Sequence, residues 1–261
     1  SMDKDKLEYK DALSKAQKLG YAESNPTSDI NGDDVASKLK ILTALSFNSF
    51  INNKSILVEG IKNIDQTDIN NANQLGYKIK LVGIAESSDN KITQRVHPAL
   101  IKSYSNVAKI NGVLNAVIAD SMPVGQSVLQ GEGAGPGPTT SSLISDLCSV
   151  LRGNIKFPFV ISNAKRKLAS FASIDNKFFS VYLRLDVKDK HGILSDIAKV
   201  MASNKVSIKR LIQNPTKNKK NASIIIITHY AKSSSLVKVM SVLKNKKYIV
   251  GSPKLIRIED I

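Results

Sequence analysis

Asp189-Lys190-His191-Gly192-Ile193-Leu194-Ser195-Asp196-Ile197-Ala198 reads as the passage from a strand into a helix, and the fold of the C-terminal part follows from its surroundings. Residues 180–187 ahead of it alternate as a half-buried strand does, and residues 193–204 after it place apolar side chains at helical spacing. Gly192 supplies the backbone freedom that a tight corner asks for. Further on, residues 206–213 and 223–229 read as strands, 233–244 as a second helix and 250–258 as a last strand. The predicted order is β-α-β-β-α-β, two interleaved strand–helix–strand units.

Upstream the order is less regular. Residues 6–19 form a predicted helix with Leu7, Ala12, Leu13, Ala16 and Leu19 as its apolar members, and Gly20 is its stop. A polar, proline-bearing loop runs over 21–31, and a second helix over 33–46. Strands are expected at 55–58 and 78–85, with a short helix at 68–75 between them. Further strands at 92–96 and 113–118 are separated by a His97-Pro98 turn and a loop. A strand at 126–130 enters a glycine-rich turn and then a helix over 138–151. This mixture predicts an α+β fold with a mixed or mostly antiparallel sheet. The division is a first domain over 1–153, a linker over 154–177 marked by Pro158 and Lys165-Arg166-Lys167, and a second domain over 178–261.

With 261 residues, 42% of them hydrophobic and 23% charged, the chain has room for two cores of ordinary globular character. No run approaches the ~18 apolar residues of a membrane span. The charged opening lacks the apolar centre of a signal peptide, and one cysteine, Cys148, excludes an internal disulfide or a thiolate metal cluster. A cytoplasmic protein without a metal site is the expectation. The net charge of +16 is mostly lysine spread along the chain, densest at Lys217-Asn218-Lys219-Lys220, which reads as a solvated turn between strands. Neither aromatic interleaving nor a basic helix face accompanies it, so no nucleic-acid partner is expected.

The stretch that carries chemistry is Leu19-Gly20-Tyr21-Ala22-Glu23-Ser24-Asn25-Pro26-Thr27-Ser28-Asp29-Ile30-Asn31-Gly32-Asp33-Asp34-Val35-Ala36-Ser37-Lys38. Asp34 and Lys38 stand four apart and share a helix face. Ile41 and Leu45 continue that face and are expected to bury it. Glu23 and Asp29 lie in a loop whose proline and glycine can hold them near the helix start. Carboxylates converging there suit the ammonium of an amino acid and leave the lysine to donate a proton. The plain alternative is an exposed ion pair worth about 0.3–0.5 kcal/mol beside ordinary loop carboxylates. Gly131-Glu132-Gly133-Ala134-Gly135-Pro136-Gly137-Pro138-Thr139-Thr140 leaves a strand and opens a helix, where free amides attract anions. No parallel strand with an acidic end follows at the spacing of a dinucleotide fingerprint, so this is a tight connection on its own terms.

The run from Gly20 to Lys38 resembles the substrate-binding segment of homoserine dehydrogenases, with the same spacing at the functional positions. The resemblance implies that Glu23 and Asp34 hold the substrate's amino group and that Lys38 is the catalytic proton donor to the aldehyde oxygen of aspartate 4-semialdehyde. Asp29 takes an acidic place in the same site, and Gly20 and Gly135 approach the cofactor, NADP or NAD. Val96-His97-Pro98 also matches a recurrent family stretch, with His97 structural. In the C-terminal part, 189–198 within the ferredoxin-like βαββαβ order resembles the signature of ACT domains. That implies a regulatory amino acid such as threonine at Asp189, Gly192 and Ile193.

The likeness covers about 11–258, apart from the linker. It implies a catalytic and dimerisation domain followed by a regulatory ACT domain, in a homodimer or larger homo-oligomer. The family's amino-terminal nucleotide-binding domain, its Gly-Thr-x-Asn segment and a second active-site lysine have no counterpart in this sequence, so the chain by itself is expected to turn over little or no substrate. An alternative from another class is a non-catalytic amino-acid sensor whose working part is the ACT domain.

Overall fold

The computed structural model describes residues 2–50, 55–154, 159, 161–166, 169–215 and 220–261. The chain opens with α1 (Met2–Asp5), α2 (Tyr9–Lys18), α3 (Thr27–Asn31) and α4 (Asp33–Ser46). β1 (Ile56–Val58), α5 (Gln66–Gln74), β2 (Tyr77–Ser88) and β3 (Lys91–Lys102) follow. Next come α6 (Asn106–Lys109), the hairpin of β4 (Leu114–Ser121) and β5 (Gly125–Glu132), and α7 (Pro136–Leu151). The C-terminal part holds β6 (Ser170–Phe171), β7 (Phe178–Lys188), α8 (Ile193–Ser203), β8 (Ile208–Pro215) and β9 (Asn221–Thr228). It ends with β10 (Ala231–Lys232), α9 (Ser233–Lys244) and β11 (Lys254–Glu259).

The split unit assembles as expected, in the spatial order β11-β7-β9-β8. On one face Val181, Leu183, Leu185 and Val187 of β7 meet Ile197, Val200 and Met201 of α8 and Leu236, Val239 and Leu243 of α9. Period two along the strand then turns Tyr182 to the opposite face, where Ile225, Ile227, Ile256 and Ile258 join Ala72 of α5 and Leu100 of β3. A fold of two separate cores would leave that second face to water. Here β11 runs parallel to β3, pairing Arg257 with Ala99, Ile258 with Leu100 and Glu259 with Ile101. The predicted units thus share one mixed sheet, nine strands among the described residues.

Several local expectations change. The helix expected over 6–19 begins only at Tyr9, since Lys6 takes a left-handed φ of 56° and leaves Leu7 outside it. No turn forms at His97-Pro98, because β3 runs straight through it. The Val96 carbonyl accepts from the Glu59 amide on the β1 side, and strand alternation aims the Pro98 nitrogen the same way. β1 pairs only with Gln94–Val96 and β11 only from Ala99, so the missing N–H falls at the seam between them. The loop over 21–31 contains α3. The 154–177 linker contributes β6, which pairs with β3 through Ser170 and Phe171; Pro158, Lys167 and the turn at Lys217-Asn218-Lys219 lie outside the described residues.

α4 packs on this sheet through Ala36 and Leu39, which meet Val96 together with Ile56, Val58 and Leu81. Gly83 admits the helix, since a Cβ there would lie 3.0 Å from Val35 Cγ1. The hairpin β4–β5 forms its own two-stranded sheet, and α7 buries none of its residues.

Candidate functional site at the head of α4

α2 ends as the sequence predicts. Gly20 takes a left-handed φ of 74°, and the Tyr21 amide reaches back to the Ala16 carbonyl at 2.9 Å. The Gln17 side chain then holds the descending loop, donating to the Glu23 carbonyl at 3.0 Å. One turn of helix, α3, carries Asp29 and is joined to α4 by Gly32 alone. Gly32 has φ +85°, and a Cβ there would meet Val96 Cγ1 at 3.2 Å and Val58 Cγ1 at 3.4 Å, so both backbone and space demand glycine. The first turn of α4 presents Asp33 and Asp34, whose charges suit the positive end of the helix dipole.

Lys38 Nζ lies 2.7 Å from Asp34 Oδ2, so the four-residue spacing does bring these two together. Both side chains remain open to solvent. Glu23 and Asp29 are exposed on the segments leading into α4, and among the described residues neither pairs with Lys38. The face that Asp34 and Lys38 share is not buried further on, contrary to expectation: Ile41 is 48% and Leu45 36% exposed, while Ala36, Leu39, Thr43 and Ala44 face the sheet. Apolar residues occur nearly all round this helix, so periodicity could not choose between its faces. An exposed pair of this kind is held by less than ~1 kcal/mol, and a ligand ammonium can displace the lysine from the carboxylate at small cost.

Gly135 caps the start of α7 with φ 109° and ψ 162°, a backbone almost confined to glycine, and its carbonyl accepts from Thr139 Oγ1 at 2.9 Å. A Cβ added at Gly20, Gly131 or Gly137 would meet nothing within 4 Å, so these glycines leave the backbone open to a flat ligand. Gly192, with φ 82°, forms the N-terminal cap of α8. Beside it, a cleft of about 780 Å³ is lined by Val187, Asp189, Gly192, Ile193, Gln213 and Ile224 among others, room enough for one amino acid. The Asp189 amide donates to the Lys220 carbonyl at 2.8 Å, which ties this corner to the start of β9. Among the described residues no group of three or more His, Cys, Asp or Glu is placed to hold a metal ion, and no helix is long and apolar enough to cross a membrane.

Several polar groups escaped sequence reasoning because their partners are distant in the chain. Arg184 Nε of β7 lies 2.8 Å from Asp68 Oδ1 of α5 and also pairs with Asp65. Tyr182 donates to Asp68 at 3.4 Å and accepts from Asn71 at 3.0 Å. Burial pushes the Asp68 carboxyl up to about 6, against the pull of Arg184 and with the push of Asp65. Asp65 itself stays below the ordinary carboxylate range: burial raises it, but the Asp68 amide and Arg184 outweigh that. On β11, Glu259 receives Arg95 Nε at 2.8 Å and Arg95 Nη2 at 2.9 Å, and His97 Nε2 at 3.1 Å. Burial opposes its charge, yet His97 and Arg95 prevail and hold it at about 2. The one local clue was Asp65-Gln66-Thr67-Asp68, which forms a capping box at the start of α5.

Comparison with known proteins agrees along the whole length. The family model described as homoserine dehydrogenase matches residues 1–148, and that of the ACT domain matches 181–247. A homoserine dehydrogenase of Helicobacter pylori is 35% identical over 259 residues, 99% of this chain and 61% of its own. Another from Corynebacterium glutamicum is 32% identical over 267 residues, 99% of this chain and 59% of its own. A solved homoserine dehydrogenase from Thiobacillus denitrificans superposes with a TM-score of 0.88 at 32% identity, over 99% of this chain and 60% of that one. One from S. aureus gives 0.69 at 27% identity, over 100% and 61%. The chain spans about three-fifths of the length of the relatives it matches. A match that includes the first 148 residues does not favour a stand-alone amino-acid sensor. By sequence and by fold, the chain belongs to the homoserine dehydrogenase family and carries an ACT domain in its C-terminal part.

Proposed function

We propose that residues 1–153 form the substrate-binding part of an enzyme that reduces L-aspartate 4-semialdehyde to L-homoserine, and that 178–261 form its regulatory part, joined through 154–177. The observation that supports this most directly is the contact of Lys38 with Asp34 at the head of α4. Asp34 and Glu23 take the substrate's ammonium, with Asp29 adding negative charge from α3. As the substrate's ammonium claims Asp34, Lys38 is released from its ion pair and turns to the carbonyl oxygen. There it donates a hydrogen bond to the oxygen as charge grows on it, then the proton that completes the hydroxyl. The nicotinamide nucleotide, NADP or NAD, supplies the hydride. The open backbone at Gly20 and the glycine-only turn at Gly135 are the places in this chain that would hold its flat ring.

The cleft at Asp189, Gly192 and Ile193 takes the regulatory amino acid, threonine being the first to try. A homodimer is supported by apolar residues that stand uncovered on the hairpin and on α7, among them Leu129, Leu143, Ile144, Leu147 and Val150. The place of action is the cytoplasm.

Lys38→Ala in the enzyme made from the complete coding sequence tests the catalytic role. The expected result is a fall in kcat of roughly 10²–10⁴-fold, with the melting temperature nearly unchanged because Lys38 is exposed. Turnover within a few-fold of the parent would overturn the reading.

A further inference from the structure

The corner that carries Asp29, Asp34 and Lys38 rests on another loop, Glu59-Gly60-Ile61, which takes no part in the chemistry proposed above. The Ile61 amide donates to the Ile30 carbonyl at 2.9 Å, so this loop caps the end of α3. Gly60 makes that approach possible: a Cβ there would run into the Ile30 carbonyl oxygen and lie 2.7 Å from Asn31 Cα. Both obstacles are backbone, which cannot swing aside. The Glu59 amide is fixed to the Val96 carbonyl at 2.8 Å. Its carboxylate accepts from Arg257 Nη1 of β11 at 2.6 Å.

Arg257 is buried, with its guanidinium over the Phe179 ring at 5.5 Å, and Glu59 is its one ion-pair partner among the described residues. A buried guanidinium with a single carboxylate holds that carboxylate firmly, because losing it strands a charge away from water. The substrate corner is thus gripped from below by a backbone contact, and the gripping loop is moored to the strand that completes the split unit.

We propose that Gly60, Glu59 and Arg257 are positioning residues for the substrate corner, with the Arg257–Glu59 pair the mooring by which the C-terminal unit sets the geometry of Asp34 and Lys38. The proposal rests on the reading of that corner as the substrate site. Loosening the mooring lets the α3–α4 turn drift, so the cost falls on substrate affinity, whereas the cofactor's contacts lie elsewhere.

The test uses Arg257→Met, Glu59→Gln, the double variant and Arg257→Lys in the enzyme from the complete coding sequence, with Gly60→Ala and Lys38→Ala beside them. KM for homoserine should rise about tenfold in each of Arg257→Met and Glu59→Gln, with KM for the nucleotide within twofold. The double variant should be no worse than either single one, since the two side chains act as one unit. Arg257→Lys should recover much of the loss. In the 261-residue chain, hydrogen exchange at the Ile61 amide should quicken about tenfold in Arg257→Met, with Val239 and Leu243 unaltered. Gly60→Ala should show the same KM rise or fail to fold, either of which fits the backbone contact. An unmoved homoserine KM in folded Arg257→Met and Glu59→Gln, or strictly multiplying effects in the double variant, would overturn the mooring while Lys38→Ala still shows its large fall in kcat. Retained turnover in Lys38→Ala would instead sink the site reading, and this proposal with it.

Discussion

Asp34 and Lys38 were readable as partners because a helix puts residues four apart on one face, and nothing beyond the helix is needed to join them. Asp68 is the opposite case. Its partner Arg184 stands 116 positions away, so the sequence showed only a polar residue near a helix start. In the fold its carboxyl is fully buried and binds a proton more tightly than in the unfolded chain, its value rising from 3.8 to about 6. A raised carboxyl contributes stability that is complete below about 4 and is lost as the pH climbs through about 6, each tenfold gain in proton affinity being worth about 1.4 kcal/mol. Urea titrations at pH 4, 5, 6 and 7 should show this decline, and Asp68→Asn should flatten it. A parallel pH profile for the variant would mean that Asp68 titrates normally.

The position of α4, from near Asp33 to about Ser46, is legible in the sequence, but not the face it buries. The same limit applies at β3, where Pro98 reads locally as a breaker and is tolerated only because two neighbouring strands divide the edge between them. Gly32 shows what joins element to site. It ends α3 and starts α4 in a left-handed backbone, with Val58 and Val96 against its open side. Gly32→Ala should cost roughly 2 kcal/mol or more in chemical denaturation, from backbone strain joined to a tight contact. Homoserine binding should weaken in the same variant, since the turn aims Asp29 and Asp34. A loss below about 0.5 kcal/mol would show that the turn has slack.

Across the whole molecule, β11 lies between β7 of its own unit and β3 of the other, and Glu259 ties β11 to β3 with a carboxylate that Arg95 and His97 both reach. That grip depresses its titration from 4.5 to about 2. A depressed carboxyl stabilises above its ordinary value and ceases to do so as the pH falls from about 4.5 towards 2. Glu259→Gln should therefore cost roughly 3–5 kcal/mol at pH 7, the usual penalty for breaking a buried pair from one side, and the gap to the parent should close under acid. Equal stability at pH 7 would show that Arg95 finds adequate compensation in Glu86, which it reaches at 2.6 Å.

By itself the sequence determined the βαββαβ order, the helix at the chemistry-bearing stretch, the glycine corners and the pairing of Asp34 with Lys38. All of these depend on contacts a few residues apart, which local periodicity and turn stereochemistry prescribe. Only the tertiary structure decided that β11 pairs with β3, that α4 turns Leu39 and not Leu45 to the sheet, and that Arg257 and Glu59 meet beneath the substrate corner. Those choices are made by the burial of faces and charges contributed from both ends of the chain, and no local pattern records which distant segment will cover which face.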